Sequence, residues 1–429
     1  MSFSRSAVVI LLFGLVSVYI TFNINRWRSN YVLTWDAAGY YLYLPATFIY
    51  KDLGKLAYYQ RIDSLYQPTM GAKNNGIYSI PETGRKLDKY PPGVALFELP
   101  FFFAAHAYAL AVGDYPADGY SPPYRLAVCM ATVFWVVCGL FVLRRFLRQY
   151  YSETVVAVTL LLATFGTNLY AYTAFEWGMS HSYAFFLFAA FLYCTSRWYA
   201  GHQPKHLVYL AVLAALILVT RPTDMVIGLV FLLWPGETVR PIKEQMGRAA
   251  LSALLFLAIV LLQAGYWKYA TGHWLFYAYL GEGFDLSSPH ILDGLFSYRK
   301  GWFLYTPMAL ASVAGLAALY RSNRAMVLPV AAFLLANIYI VFSWHAWFYG
   351  GGFSARAMVE GMAVLSLPLA ALVQWLLQPG TRRVKGAGLA LLAILVLVNL
   401  FQTYQYSHGL IHPDQMTGAQ YWKIFMHSW

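Results

Sequence analysis

The chain has little charge: Asp, Glu, Lys and Arg make up 11% of its 429 residues, against 60% apolar ones. That excludes an ordinary soluble protein of this length, whose surface needs about a quarter of its residues charged. Cysteine is nearly absent. Cys129, Cys138 and Cys194 all fall inside apolar runs, which excludes a disulfide framework and a zinc site. Short segments of strict polar–apolar alternation are missing, which excludes a transmembrane β-barrel. No Gly-rich phosphate loop, Gly-x-Ser-x-Gly elbow, His-Glu-x-x-His pair or dinucleotide fingerprint occurs, so nothing points to coupling to ATP. Low-complexity linkers are lacking. So are repeats with a duplicated helix break, a common mark of transporters.

What is present is a succession of apolar runs near 20 residues, which predicts an all-α polytopic membrane protein folded as a single domain over 1–429. The 35 Tyr and 14 Trp suit interfacial belts and sugar-stacking surfaces alike. The net charge of +12 fits loops that face anionic lipid better than it fits nucleic acid. The first run follows a short basic start and no small-x-small cleavage site, so it reads as an uncleaved span with a cytoplasmic N-terminus.

Spans are expected near residues 7–22, 123–143, 154–174, 182–199, 206–220, 224–235, 249–266, 303–320, 326–343, 357–376 and 386–402, about eleven in all. The segment 94–112 is apolar enough to cross but contains Glu98, Pro100 and His106. If it does not cross, the five short loops at 144–149, 197–205, 239–248, 320–324 and 381–386, which together hold 13 Lys and Arg, all face the cytoplasm. The positive-inside bias therefore predicts that 94–112 lies along the outer surface as a juxtamembrane helix. The first outer loop, 23–122, is then very long, and the tail 404–429 also faces out. Nearly every conspicuous polar residue outside the basic loops falls on that one face, which suggests one site at the outer membrane surface.

Two stretches of the first outer loop carry acids. In "TWDAAGYYLYLPATFIY", Asp36 stands where a helix starts with Thr34 as its cap, and Tyr40 and Tyr43 share its face. Taken alone, Asp36 is an interfacial acid favoured by the helix dipole. In "LDKYPPGVALFELPFF", Asp88, Lys89 and Tyr90 precede a rigid Pro-Pro-Gly turn. Taken together, two acids at the start and end of one loop can share a cleft within about 10 Å, one as general base and either as a ligand to a divalent cation, with Lys89 against a phosphate.

Further on, "FEWGMSHS" offers Glu176 and His181, each either functional or bonded to nearby backbone. In "TRPTD", Arg221 reads as a structural clamp with Asp224 or as a phosphate ligand. "YRKGW" places Arg299 against the usual charge bias, as an anchor or an anion ligand. In "SWHAWFYGGGFSAR", three glycines precede Arg356, a bidentate phosphate ligand by chemistry, and His345, Trp347 and Tyr349 can stack on a sugar. The alternative there is a glycine hinge with an aromatic belt and a snorkelling arginine.

This layout resembles the GT-C superfamily of integral-membrane glycosyltransferases, among them protein O-mannosyltransferases and lipid A aminoarabinose transferases. Members place one acid just after the first span and another late in the first outer loop. In the aminoarabinose group the second acid sits in Glu-Lys-Pro, of which "DKYPPG" looks like a variant with Asp for Glu and a Tyr inserted. A third acid follows the third span, where this chain has Glu176. The phrases "YPPG", "TRPTD", "RKGWFLYTP" and "WFYGGGFSAR" also look like bacterial members of the group.

The resemblance implies an inverting glycosyltransferase that takes a sugar from a polyprenyl-phosphate donor, not a nucleotide sugar, and passes it to a protein, lipid or glycan hydroxyl. It implies Asp36, Asp88 and Glu176 as catalytic acids. Lys89, Arg356, Arg221 and Arg299 are the candidates for the donor phosphate, and Tyr40, Tyr90, His181, His345, Trp347 and Tyr349 the candidates for substrate contact. Metal use differs within the superfamily, so Mg²⁺ or Mn²⁺ at Asp36 and Asp88 stays open. Two other readings remain. One is an outer-face polysaccharide polymerase or ligase, relying on Arg and His more than on paired acids. The other is a transporter of lipid-linked glycans, which would want charged or broken helices at the midplane.

Overall fold

The structure is a computed structural model and describes residues 4–70, 76–201, 203–236, 246–380 and 382–427. Its first part runs α1 (Arg5–Ile24), α2 (Trp35–Phe48), α3 (Tyr59–Tyr66), β1 (Ile77–Ile80), β2 (Arg85–Asp88), α4 (Gly93–Val112), α5 (Pro122–Leu147), α6 (Glu153–Phe165), α7 (Leu169–Ala174), α8 (Ser180–Gly201), α9 (Pro204–Thr220) and α10 (Gly228–Leu232). The second part runs α11 (Met246–Thr271), α12 (Ile291–Phe296), α13 (Trp302–Tyr305), α14 (Pro307–Ser322), α15 (Val327–Phe342), α16 (Met362–Leu377), α17 (Arg382–Ser407) and α18 (Gly418–Ile424). Most of the basic loop 239–248 lies outside the described residues.

Among the described residues, six stretches of helix are long and apolar enough to cross a bilayer: Arg5–Ile24, Gly93–Val112, Pro122–Leu147, Gly247–Thr271, Arg324–Phe342 and Arg383–Ser407. The chain is thus a helical multi-pass membrane protein. Between these helices run shorter apolar ones, and α8 is the innermost. It packs between α5 and α9 and buries residues around its whole circumference, as a central helix must. Likewise α16 is buried along nearly its full length against α14 and α6.

Several expected runs are broken by local chemistry. The run 154–174 divides into α6 and α7 around Gly166. The run 224–235 forms a 3₁₀ turn over Pro222–Ile227 followed by the five-residue α10, too short to cross a hydrocarbon core of about 30 Å unaided. The segment read as a surface helix, α4, has the length and composition of a span. Its Glu98 is buried and accepts a hydrogen bond from Tyr183 at 2.8 Å, so the acid that argued against burial is partnered by α8.

The one sheet among the described residues is the antiparallel hairpin β1–β2, with Ile77 opposite Asp88. It was not expected in an all-α chain. "IYSIPETGRKLD" forms it because β-branched and aromatic residues lead into a Pro-Glu-Thr-Gly turn, with Gly84 at φ 66°. The hairpin ends at Asp88 and hands the chain through Pro91, Pro92 and Gly93 into α4. It thereby fixes where Lys89 and Tyr90 stand.

Candidate functional site

The site is built around Tyr90, and α2 supplies most of its grip. Asp36 opens α2, so its carboxylate sits in the first turn, where the helix dipole favours negative charge. Thr34 occupies the N-cap position but does not cap; its hydroxyl donates to the carbonyl of Tyr31 at 2.8 Å. Trp35 takes φ 50°, a conformation rare for a bulky residue, and its N–H bonds the carbonyl of Pro68 at 2.9 Å.

From α2, Oδ1 of Asp36 accepts from the Tyr90 hydroxyl at 2.6 Å. Tyr40 meets the Tyr90 ring edge-on at 4.9 Å between centroids, and Tyr43 donates to the Tyr90 carbonyl at 2.5 Å. From the hairpin, Asp88 accepts the Tyr90 N–H at 3.0 Å. Gly39 makes the approach possible, since a Cβ there would lie 2.1 Å from Cδ2 of Tyr90. The two acids of the sequence argument therefore meet through one tyrosine, but they do not face one space. Asp36 lines a cavity of about 340 Å³. Asp88 is 1% exposed behind Tyr90, its Oδ2 without a partner. Burial pushes the Asp88 carboxyl well above the usual range, outweighing the Tyr90 N–H and Lys89. Burial also works to raise Asp36, but Arg356, Tyr90 and Lys89 outweigh it and hold Asp36 below its ordinary value.

Three cations line the same cavity: Lys89, Arg221 and Arg356. Arg356 pairs with Oδ2 of Asp36 and donates to the Gly351 carbonyl at 3.2 Å. Lys89 pairs with Glu282 at 2.5 Å, and its ammonium lies 5.2 Å from the ring centre of Tyr279 and 5.3 Å from that of Tyr90. Arg221 is extended at φ −152° and ψ 101° because Pro222 disfavours a helical residue before it. That break ends α9 and turns Arg221 into the cavity.

The far wall comes from two segments zipped together. Phe284 and Trp344 form a β-bridge, and the His345 N–H donates to the Gly283 carbonyl at 2.9 Å. They present Tyr277, Tyr279, Phe284, Trp344 and Tyr349 to the cavity, a surface fit to stack on a sugar ring.

Of the candidates drawn from sequence, Asp36, Tyr40, Lys89, Tyr90, Arg221, Tyr349 and Arg356 line this cavity. The others stand elsewhere. Glu176 is held by the hydroxyls of Tyr31 and Tyr406, each at 2.7 Å. Arg299 pairs with Asp414 at 3.1 Å and stacks over Phe348. Trp347 stacks with His290 at 5.9 Å, and His345 accepts the Gly283 N–H at 3.3 Å. His181 is buried with Nδ1 3.0 Å from Oε2 of Glu360.

Sequence reasoning passed over Glu360 and gave Glu282 little weight. Glu360 stands at the head of an apolar run, where an acid is costly without a partner, and that cost was the available signal. Lys300 follows Arg299 in "YRKGW". It is 3% exposed and donates to the carbonyls of Gly352 and Pro413, fastening the glycine loop to the C-terminal tail. Burial lowers its ammonium to about 7.

As for a divalent cation, both oxygens of Asp36 are already engaged by Tyr90 and Arg356, and Asp88 is not among the residues that line the cavity. Among the described residues no group of three or more His, Cys, Asp and Glu is placed to hold a metal ion. This donor set does not fit a resident metal.

The fold and cavity define a helical multi-pass membrane protein with an anion-receptive, aromatic-walled pocket. No family model and no curated protein matches the chain.

Proposed function

We propose that the chain is an inverting glycosyltransferase that moves a sugar from a polyprenyl-phosphate donor to an acceptor hydroxyl at the outer face of a bacterial cytoplasmic membrane. One observation carries this reading. Two carboxylates, Asp36 and Glu282, three cations and a wall of tyrosine and tryptophan converge on one cavity of about 340 Å³, the lower end of the usual size for a ligand pocket. The cations suit a phosphate and the aromatics suit a sugar. Asp36, held ionised, suits an acceptor hydroxyl.

In this reaction the acceptor oxygen bonds to the anomeric carbon and the bond from that carbon to the phosphate oxygen breaks. The hydroxyl proton passes to Asp36, and the polyprenyl phosphate leaves with the bonding electrons. Charge grows on the phosphate as it leaves, and the cations of the cavity stabilise it. Asp88 acts through Tyr90, holding the phenol on Asp36. Glu176 ties the first loop to the end of α17 and stays outside the chemistry.

A cytoplasmic N-terminus and the positive-inside bias of the basic loops support a cavity mouth on the outer face, in reach of a lipid-linked donor. The test is sugar transfer by purified protein from a polyprenyl-phosphate sugar to an envelope extract. Loss of transfer in Asp36→Asn supports the reading, and unchanged transfer overturns it.

A further inference from the structure

The three cations of the cavity are not equivalent. Arg356 has one terminal nitrogen on Asp36 and the other on Gly351, and Lys89 is paired with Glu282. Arg221 differs: its partners engage the Nε edge. Nε lies 3.2 Å from Oδ1 of Asp224 and 3.3 Å from Oε1 of Glu360. No hydrogen bond joins its two terminal nitrogens to any described residue, yet neither is sealed from solvent. They are on the accessible side of a side chain that is 12% exposed and lines the cavity. Behind Glu360, His181 Nδ1 stands 3.0 Å from Oε2, and both side chains are 1% exposed. These residues come from four places: the break after α9, the 3₁₀ turn that follows, the start of α8 and the turn before α16.

A guanidinium held by its Nε edge is fixed in plane with both terminal amino groups aimed forward, the fork that takes two oxygens of a phosphate. We propose that Asp224, Glu360 and His181 are positioning residues that aim Arg221, and that Arg221 is the cation receiving the phosphate of the ligand. The inference rests on the glycosyltransferase reading in taking that ligand to be a polyprenyl phosphate. Asp224 lies on the same turn as Arg221, at i+3. Glu360 and His181 bring the anchor from the bundle core, so the aim of Arg221 depends on the packing of α8 against the segment before α16. Lys89 and Arg356 already donate to a carboxylate from the end that would meet the ligand, so they contribute less to initial capture.

The experiment measures binding of a long-chain polyprenyl phosphate, and of the parent polyprenol, to the purified full-length protein in detergent by native mass spectrometry. Thermal unfolding is followed in parallel. For the wild type, the phosphate is expected to bind more tightly than the alcohol; equal binding overturns the glycosyltransferase reading itself. Arg221→Ala and Glu360→Ala are each expected to weaken phosphate binding about ten- to a hundredfold, as for loss of a buried charged hydrogen bond. Polyprenol binding should not change. The double variant should be no weaker than Arg221→Ala, since both changes remove one device.

Glu360→Gln keeps an acceptor for Nε and is expected to recover most of the affinity. That recovery also separates aiming from folding, should Glu360→Ala prove unstable. If Glu360→Ala and Glu360→Gln both bind the phosphate like wild type, or lose phosphate and alcohol alike, the positioning role is overturned. If wild type prefers the phosphate but Arg221→Ala weakens it no more than Arg299→Ala, the choice of Arg221 fails while the function stands.

Discussion

The hydroxyl of Tyr90 donates to Asp36 at 2.6 Å across 54 positions of sequence, and the same tyrosine takes its backbone support from Asp88. Tyr90 thus reaches the cavity beside Lys89 and Pro91 of "DKYPPG" and links Asp36 to Asp88. Tyr90→Phe keeps the ring against Tyr40 and Gly39 and removes only the phenol. Asp36 loses one of its two fixed partners, and sugar transfer is expected to fall about tenfold, the usual effect of one hydrogen bond to a charged group. Rates of transfer in the wild type and variant, at matched protein stability, check it.

Gly39 is the steric counterpart of that bond. An alanine there would place its Cβ 2.1 Å from a ring carbon of Tyr90, and the ring must move because α2 cannot. Gly39→Ala is expected to lower stability by about 1–3 kcal/mol, as overpacking does, and to abolish transfer with it. Tyr90→Ala carries its own cavity cost, so adding Gly39→Ala to that variant should lower stability much less than it does in the wild type. Thermal unfolding of the single and double variants decides whether the clash is the cause.

Arg299 and Arg356 are both arginines on outer segments, and the structure separates them. Arg299 and Asp414 are each about a third exposed (32% and 31%), so their pair is worth at most about 1 kcal/mol. Arg356 is 15% exposed, and its Asp36 partner is itself in the cavity. Burial lowers the ease of keeping its charge, yet Asp36 outweighs that. Arg299→Ala is expected to leave donor turnover within twofold of wild type, given that small pair energy. Arg356→Ala leaves Asp36 with only Tyr90 and should reduce turnover by more than about tenfold. Parallel donor-turnover assays read the contrast.

Membrane character was plain from the sequence, because apolar runs near the bilayer thickness have few other uses. The first loop was legible in part: Asp36 and Lys89 line the cavity, while Asp88, expected in the same cleft, does not line it and instead accepts the Tyr90 N–H. Other features were not. The breaks at Gly166 and Pro222 turn apparent spans into shorter helices, and hydropathy alone does not register a 3₁₀ turn. Partnering was equally hidden. Glu98 looked like an argument for the surface until Tyr183 supplied its bond, and Glu360 gains its meaning only from His181 and Arg221, each more than a hundred residues away. Arg299 and Glu176 carry motifs that resemble site residues, but residue type does not tell a ligand from a tie between loops.

Lys300 gives the fold a pH dependence whose sign follows from burial. Taking the ammonium out of water lowers it from 10.5 to about 7; Arg356 and Arg299 push the same way, against Asp414 and Glu176. Between about pH 7 and 10.5 the unfolded chain therefore binds a proton that the folded one does not, so stability rises with pH across that window. Below pH 7 both states hold the proton and this contribution is flat. The slope from one such group is at most about 1.4 kcal/mol per pH unit. In Lys300→Met the ammonium is gone and the rise should vanish, while the carbonyls of Gly352 and Pro413 lose their donor and stability at neutral pH falls. Thermal unfolding of the detergent-solubilised protein from pH 6 to 10 is expected to show a rising midpoint in the wild type and a flat one in the variant. A rise of equal slope in both would assign the dependence to another group.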